Sequence, residues 1–508
     1  MPNGAGSRSR TVSDAEAAFA QLQSRLRRME SLDDPARAAE RTVLAIPSID
    51  FDQALLDRHA AELPALEERA LYWLLALRRA HVRVVVVTSL PVASEVVAYY
   101  LRLTPEAADA RSRVHLLSPE DDSPRPLALK ILERPDLLAA LRELVPDQQR
   151  AFISPFNVRR CERDLALALD VPIYGVDDRF VSYGTKTGAR CLFERAGVPH
   201  PLGASGVCRR AELADALRGL RCARPDLDAA VVKHDDAFSG EGNRIIALRG
   251  LPPPGTPAEV TALDVRVRDL GAAYLEELAR GGVVEQLIGG TIRSASVQMR
   301  ILPCGEPVLL STHDQVLGGE LGQTFVACCF PAAPAYAAGI AREARKTGGY
   351  LSAQGLMGRF GVDFVVARDE TGWQPYAVEI NLREGGTSHP YETLWLLTDG
   401  LLDQTTMTFR TPTGQAKYYF ATDRLWHLDY RKVGLGNFLA AATAAGLDWD
   451  PGSQTGAVFH MLRSLQEQGR IGVTAIGGTP DQARELYLGV ANLLDRLAAG
   501  PAAAAGRL

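Results

Sequence analysis

Short apolar runs alternate with amphipathic stretches over the first third of the chain. The apolar runs at 41–46, 82–88, 114–117 and 151–153 predict buried strands, and the second of them is rich in valine. The amphipathic stretch at 68–79 predicts a helix. Strands that alternate with helices are typical of a parallel, doubly wound sheet. We therefore predict a Rossmann-like α/β domain in this part of the chain.

The pattern changes after residue 183. A helix is predicted at 189–196, where Gly197 ends it. Two apolar strands, 229–232 and 245–247, enclose a polar loop rich in small residues. The strand at 245–247 therefore reads as the return of the strand at 229–232. A third apolar strand begins at 283.

Residues 378–386 combine strand alternation with unusual chemistry. Glu379, Asn381 and Arg383 occupy alternate positions, which places their side chains on one face of a strand. Asp363 lies in a second apolar run, sixteen residues before Glu379. Oxygens from Asp, Glu and Asn suit Mg²⁺, and a guanidinium suits a phosphate oxygen. The alternative is an ordinary solvent-exposed face held by cross-strand pairs.

Lysine is rare in this chain, and two lysines strengthen the phosphate interpretation. Lysine and arginine together number 56, and only six of these are lysine. Lys233 follows a predicted strand and precedes the loop at 239–243, whose small residues allow backbone amides to approach phosphate. Lys186 precedes the helix at 189–196. Taken alone, the loop fits a hairpin turn and Lys186 fits a surface position.

The order of these elements, from Lys186 to Asn381, resembles that of the ATP-grasp family over residues 183–390. The resemblance implies that ATP lies between two lobes and that Mg²⁺ is bound by Asp363, Glu379 and Asn381. It also implies nucleotide contacts, through phosphate-binding lysines, a glycine loop and a hinge strand. These residues are Lys186, Lys233, Ser239, Gly240, Gly242, Asn243, Glu285, Gln286 and Leu287. Residues 290–293 lack the carboxylate that often binds ribose in this family.

Further segments, at 46–48, 311–319 and 469–477, resemble pheganomycin-type peptide ligases of the ATP-grasp family. This resemblance implies a pre-ATP-grasp domain. It also implies an amino-acid acyl donor, with an N-amidino group, and a peptide whose terminal amine is the acceptor. Such ligases make an acyl phosphate, release ADP and form a C–N bond, here in natural-product biosynthesis. The alternatives are an ATP-grasp small-molecule kinase and a nucleotide-binding regulatory protein without turnover.

This chemistry assigns further candidate residues. A tetrahedral oxyanion needs a positive group or an amide N–H, and Arg383 and Arg293 are the candidates, although Arg293 also fits a surface strand. Glu384 and His389 follow the metal strand, where they either assist the amine or stabilise a turn. His313 lies after the apolar run at 308–311, where it either contacts substrate or caps a loop.

Composition and charge indicate the class and the cellular location of the protein. Hydrophobic residues make up 46% and charged residues 23%, as in ordinary globular proteins, and the net charge of −5 argues against nucleic-acid binding. No apolar run approaches the ~20 residues of a membrane helix. Seven scattered cysteines fit a reducing cytoplasm. A polar N-terminus without an apolar core favours a flexible tail over a signal peptide.

We predict a multidomain α/β and α+β protein. It would consist of a flexible N-terminal segment with a helix, a pre-ATP-grasp domain, two ATP-grasp lobes, and a small C-terminal α/β extension that shapes a peptide groove or a homodimer contact. These parts span residues 1–38, 39–182, 183–287, 288–400 and 401–508. Within the extension we predict helices at 436–445, 456–468 and 482–499, a strand at 471–476 and a disordered tail.

Overall fold

The protein is described here from a computed structural model. The structure describes residues 12–29, 40–104, 109–236, 242–319, 322 and 324–500. The chain forms two compact units. The first unit comprises Met1–Asp178 with His460–Ser464, and the second comprises Arg179–Phe459 with Leu465–Leu508.

The first unit is built on a four-stranded parallel sheet, as the apolar runs predict. Its strands lie in the order β3-β2-β1-β4. They are β1 (Arg41–Ile46), β2 (Val82–Val87), β3 (Val114–Leu117) and β4 (Ala151–Pro155). Helices pack on this sheet around a core that includes Leu44, Val85 and Ile153. A parallel sheet needs such cover on both faces, and this need accounts for its near-continuous apolar strands.

The helices of the first unit include the N-terminal helix, which is packed rather than loose. Phe19 and Leu22 of this helix are buried, and Gln23 exchanges two hydrogen bonds with the backbone of Ile173. The stretch predicted as an amphipathic helix is a 3₁₀ helix with most of its side chains buried. The α-helices are α1 (Val12–Gln23), α2 (Gln53–Arg58), α3 (Leu63–Glu67), α4 (Ser94–Arg102), α5 (Ala110–Arg113), α6 (Leu127–Leu132), α7 (Pro135–Glu143) and α8 (Arg160–Leu169); the 3₁₀ segments are Ser24–Arg28, Glu68–Arg78 and Gln148–Arg150. A further 3₁₀ segment, Asp178–Gly184, belongs almost wholly to the second unit.

The second unit begins with a small lobe. Its four-stranded antiparallel sheet has the order β5-β8-β6-β7, and its helices pack around Leu217, Val232 and Leu263. The elements are α9 (Lys186–Ala196), β5 (Gly203–Ser205), α10 (Arg210–Ala223), β6 (Ala229–His234), β7 (Arg244–Ala247), α11 (Pro257–Arg268), α12 (Ala272–Leu278) and β8 (Gly282–Gln286).

The rest of the second unit forms a large sheet of eight strands in the order β13-β12-β9-β10-β11-β16-β18-β17. The helix α13 packs against its strands β9, β10 and β13. The elements are β9 (Ile292–Ile301), β10 (Pro307–Gly318), β11 (Thr324–Phe330), α13 (Pro334–Ala353), β12 (Gly358–Asp369), β13 (Gly372–Asn381), α14 (Ser388–Thr398), β14 (Leu401–Leu402), β15 (Phe409–Arg410), β16 (Tyr418–Trp426), a 3₁₀ segment (Leu428–Lys432), α15 (Leu435–Ala444), β17 (Gly456–His460), α16 (Arg463–Gln468), β18 (Arg470–Gly477) and α17 (Pro480–Ala499).

Two features of the C-terminal region differ from the sequence-based expectation. The stretch 456–468 is not one helix, because its first part is the fully buried strand β17 and only its second part is the helix α16. A short apolar run buried on both faces carries no period that separates strand from helix. In addition, three strands after residue 400 join the large sheet, so this region continues that sheet. The predicted disordered tail, 501–508, lies outside the described residues.

Among the residues that the structure describes, no helix combines the length and apolar character needed to cross a membrane.

Candidate active site

Asp363 and Glu379 face each other across neighbouring strands of the large sheet. The register of β12 and β13 pairs them directly, and directly opposed residues point to the same face. Asn381 lies two residues further along β13 and donates from Nδ2 to Oδ2 of Asp363 at 3.0 Å. The structure thus brings the three predicted metal ligands together.

Arg383 lies beyond the end of β13, so the predicted alternation stops at Asn381. Its Nη1 donates to the carbonyl oxygen of Glu384 at 3.0 Å. The guanidinium nevertheless remains close enough to favour the ionised forms of Asp363 and Glu379. Arg383 therefore belongs to the cluster through charge and loop position rather than through strand geometry.

Gln315 of β10 is a further member of the cluster, which the sequence pattern did not assign to the metal site. Its Nε2 donates to Oδ1 of Asp363 at 3.0 Å, and its Oε1 accepts from Oγ of Ser294 at 2.8 Å. Each oxygen of Asp363 therefore accepts one amide hydrogen, from Gln315 or from Asn381. These two contacts fix the orientation of the carboxylate.

Lys186 is held at the first position of α9 and reaches the large sheet. Its Nζ lies 2.6 Å from Oε1 of Glu379, and its side chain is only 9% exposed. The helix start is capped twice, since Thr185 Oγ1 accepts from the amide of Gly188 and Asp235 Oδ1 accepts from that of Thr187. The caps place the lysine beside the metal strands.

Lys233 is paired with Glu285, which we expected to contribute only backbone contacts. Lys233 Nζ lies 2.8 Å from Oε2 of Glu285, and Arg190 Nη1 lies 3.1 Å from Oε1. The Glu285 side chain is 5% exposed, so this carboxylate is buried between two cations. Arg190 could have been found from the sequence, because it lies four residues after Lys186 on the same helix.

The carboxylates of the metal strands have opposite pKa shifts. Burial and the facing Glu379 raise the pKa of Asp363 to about 7, against the effect of Lys186 and Arg383. Burial also disfavours ionised Glu379, but the ammonium of Lys186 and the charge of Arg383 outweigh it and hold the Glu379 pKa below its ordinary value. A pair of carboxylates this close favours a cation between them.

The strand expected to hold adenine already uses two of its amides. Gln286 N–H donates to the carbonyl of Leu202 at 2.8 Å, and Leu287 N–H donates to that of Ala229 at 3.1 Å. Adenine contacts in this arrangement would therefore fall to carbonyl groups or to residues after Leu287.

The glycine loop is described only in part. Ser239 and Gly240 lie outside the described residues. Gly242 has a φ of +76°, in the left-handed region that favours glycine, and its carbonyl accepts from Oη of Tyr274 at 2.8 Å. Asn243 follows it and is buried.

Arg293 lies on the opposite face of the large sheet from Asp363. It is paired with Val366 of β12, three positions from Asp363, and side chains alternate along a strand. Its guanidinium lies 5.9 Å from the ring centre of Trp373. The structure does not bring Arg293 to the cluster; Arg293 is exposed, so the structure favours the alternative of a surface strand residue over a role at the oxyanion.

His313 is placed on the cluster side of the sheet but is fully buried. Its Nε2 lies 2.6 Å from Oη of Tyr419, and burial lowers the pKa of His313 to about 3. The enclosed imidazole is not accessible to a substrate in this structure, which favours a structural role over substrate contact, the two alternatives predicted for His313. His389 is also buried, in the first turn of α14, whereas Glu384 is half-buried beside Arg383.

Comparison with known proteins identifies relatives of this chain. Residues 438–490 match the family described as PGM1 C-terminal domain. The chain is 32% identical over 443 residues to L-propargylglycine–L-glutamate ligase of Streptantibioticus cattleyicolor, covering 84% of this chain and 89% of that protein. It is 23% identical over 511 residues to IQ motif-containing protein H of Danio rerio, covering 86% of this chain and 48% of that protein.

Among solved structures, the ADP complex of purK, an N5-carboxyaminoimidazole ribonucleotide synthetase, has a similar fold. The TM-score is 0.50 at 11% identity, and the match covers 91% of this chain and 98% of that chain. The fold and the ligase relative together define an ATP-grasp enzyme that forms C–N bonds and releases ADP. The chain belongs to the ATP-grasp ligase family that includes L-propargylglycine–L-glutamate ligase.

Proposed function

We propose that this protein uses ATP to join the carboxylate of one amino acid to the amine of a second substrate. One observation carries the proposal: in a chain of this ligase family, Asp363 and Glu379 are paired across neighbouring strands, Asn381 donates to Asp363, and Lys186 contacts Glu379. Cationic and oxygen groups in one cluster suit a metal-bound polyphosphate.

The donor set fits Mg²⁺. Asp363, Glu379 and Asn381 would hold the ion, because each offers a hard oxygen and the Asn381 amide nitrogen is already engaged with Asp363. When bound, the ion would neutralise charge on the phosphate oxygens during phosphoryl transfer.

The protein's own cations would complete the phosphate site. Lys233 is held by the buried carboxylate of Glu285, so its ammonium group is preorganised for phosphate, and the ammonium group of Lys186 lies beside the metal strands. The loop from Ser239 to Asn243 would close over the phosphates through backbone amides. Adenine would lie along the hinge strand near Glu285, Gln286 and Leu287.

The chemistry proceeds in two steps. A carboxylate oxygen of the acyl donor attacks the γ-phosphorus, ADP leaves, and an acyl phosphate forms. The neutral amine then attacks the acyl carbon, and phosphate departs with the C–O electron pair. Arg383 would stabilise the oxyanion of this second step. An α-amine with a pKa of ~8 is partly neutral at pH 7, so a base would assist rather than be required. Of the two candidates, the half-buried Glu384 is more accessible to the amine than the buried His389.

Two substrate pairs are candidates. By resemblance to pheganomycin-type ligases, the acyl donor would be an N-amidino amino acid and the acceptor a short peptide. The curated relative is named for joining L-propargylglycine to L-glutamate, which favours a single amino acid as the acceptor. Both pairs need the same activation of a carboxylate.

The test is an ADP-release screen that pairs N-amidino and neutral amino acids with amino acids and short peptides. Mass spectrometry would identify the products. We expect a condensed product, with ADP release that needs both substrates and is lost in Glu379→Gln. ADP release with one acid alone and a stable phosphorylated product would establish a kinase instead. Nucleotide binding without ADP release under any mixture would support a regulatory protein.

A reducing compartment such as the cytoplasm fits the cysteines. All seven are free thiols in the structure. Disulfides are rare where thiols are kept reduced.

A further inference from the structure

Lys186 occupies one of the two oxygens of Glu379, a carboxylate that would hold the proposed cation. Its Nζ lies 2.6 Å from Oε1 of Glu379 and is largely shielded from solvent. An ammonium and a divalent cation repel each other strongly at such a distance in a poorly solvated site. The ion pair and a metal on the same oxygen therefore exclude each other.

The charges of the cluster favour the same conclusion. Asp363 and Glu379 are matched by Lys186 and Arg383, both of which act on these carboxylates. A bare divalent cation would leave the cluster with excess positive charge. A nucleotide brings compensating negative charge and offers phosphate oxygens to the displaced ammonium.

The backbone at Lys186 is fixed by the start of α9, whereas the side chain could contact phosphate instead of Glu379. The start of α9 is fixed by the caps from Thr185 and Asp235. A lysine side chain has a flexible stem of four carbons, so Nζ can move without any change in the helix. The same residue can therefore contact Glu379 in one state and phosphate in another.

We propose that Lys186 alternates between Glu379 and a nucleotide phosphate, so that divalent cation and nucleotide bind cooperatively while the bare cation binds weakly. This inference rests on the proposed function, since it assumes that the cluster binds a metal nucleotide. Linkage makes the effect reciprocal, because each ligand strengthens the other by the same factor.

The experiment measures two separate binary affinities. Binding of Mn²⁺ alone would be followed by electron paramagnetic resonance, and binding of a fluorescent ADP analogue would be followed in EDTA. In Lys186→Met, we expect Mn²⁺ to bind about tenfold more tightly and the nucleotide about tenfold more weakly, within the range usual for coupled sites. Lys186→Arg should restore weak Mn²⁺ binding, because it restores the charge.

The matched control is Lys346→Met, which removes a lysine paired with Glu343 away from the cluster. It should change neither affinity. Unchanged or weaker Mn²⁺ binding in Lys186→Met would overturn the inference, as would loss of both affinities together. Lys186→Gln would replace the methionine variant if that variant failed to fold. Wild-type protein that binds no nucleotide, even with Mn²⁺, would instead defeat the proposed function.

Discussion

Gln315 donates from Nε2 to Oδ1 of Asp363 at 3.0 Å, and the two residues come from strands that are not neighbours in the large sheet. The strand β9 lies between them and contributes Ser294, which donates to Oε1 of Gln315. Ser294 therefore orients the amide of Gln315, and this amide in turn orients the carboxylate of Asp363. Contacts of this kind commonly tune how a metal ligand performs.

Replacing Gln315 by leucine should weaken the metal site. Asp363 would lose one of its two amide partners, and its Oδ1 would turn toward other donors. We expect the Mg²⁺ concentration for half-maximal ADP release to rise by about 10- to 100-fold, with little change at saturating Mg²⁺. Titration of Mg²⁺ at fixed ATP measures this. Gln374→Leu, at the other end of β13, should behave like wild type.

Removing the charge of Glu285 should destabilise the small lobe. In Glu285→Gln, Lys233 and Arg190 would remain nearly buried without their shared carboxylate. Loss of one partner of a buried pair costs about 3–5 kcal/mol. Urea unfolding should show this loss, together with a raised KM for ATP. Asp228→Asn, which removes an exposed partner of Arg249, should cost less than about 1 kcal/mol.

Gly188 should not tolerate a side chain. A Cβ there would lie 1.8 Å from the carbonyl oxygen of Ser182, so Gly188→Ala must shift the start of α9 and with it Lys186. We expect a loss of at least about 1–3 kcal/mol of stability and weaker nucleotide binding. Gly219→Ala, in α10 with no atom near its Cβ, should be neutral or stabilising by up to about 1 kcal/mol. Wild-type stability in Gly188→Ala would contradict the described helix start.

His313 should make stability fall with acid. Its folded pKa of about 3 lies below the ordinary value of 6.5, so the unfolded chain binds a proton that the folded chain excludes. The contribution of His313 to the free energy of unfolding is fully present above pH 6.5 and is lost as the pH falls toward 3. The effect is on the order of a few kcal/mol.

The comparison variant is His313→Phe, measured by urea unfolding at pH 7, 5.5 and 4. It should show a shallower loss of stability than wild type over this range. His427→Phe, which removes an exposed histidine, should retain the wild-type slope. Equal slopes in His313→Phe and wild type would mean that His313 is not excluded from protonation.

Local pattern in the sequence was enough for much of the site. Strand alternation places Glu379 and Asn381 on one face, and the register of the folded sheet places Asp363 opposite Glu379. The order of elements also indicated the ATP-grasp family, which the 32% identity to a ligase confirms. Such features depend on spacing along the chain, which the sequence carries directly.

The tertiary structure decided what depends on contacts between distant strands. Sequence alternation within β9 and β10 does not show which of their side chains lie on the same face of the sheet as Asp363. It therefore could not separate Arg293 from the cluster or assign Gln315 to it. The burial of His313 behind Tyr419 and the strand conformation of β17 likewise arise from neighbours far away in sequence. Register and packing are non-local, and they become visible only once the sheet is formed.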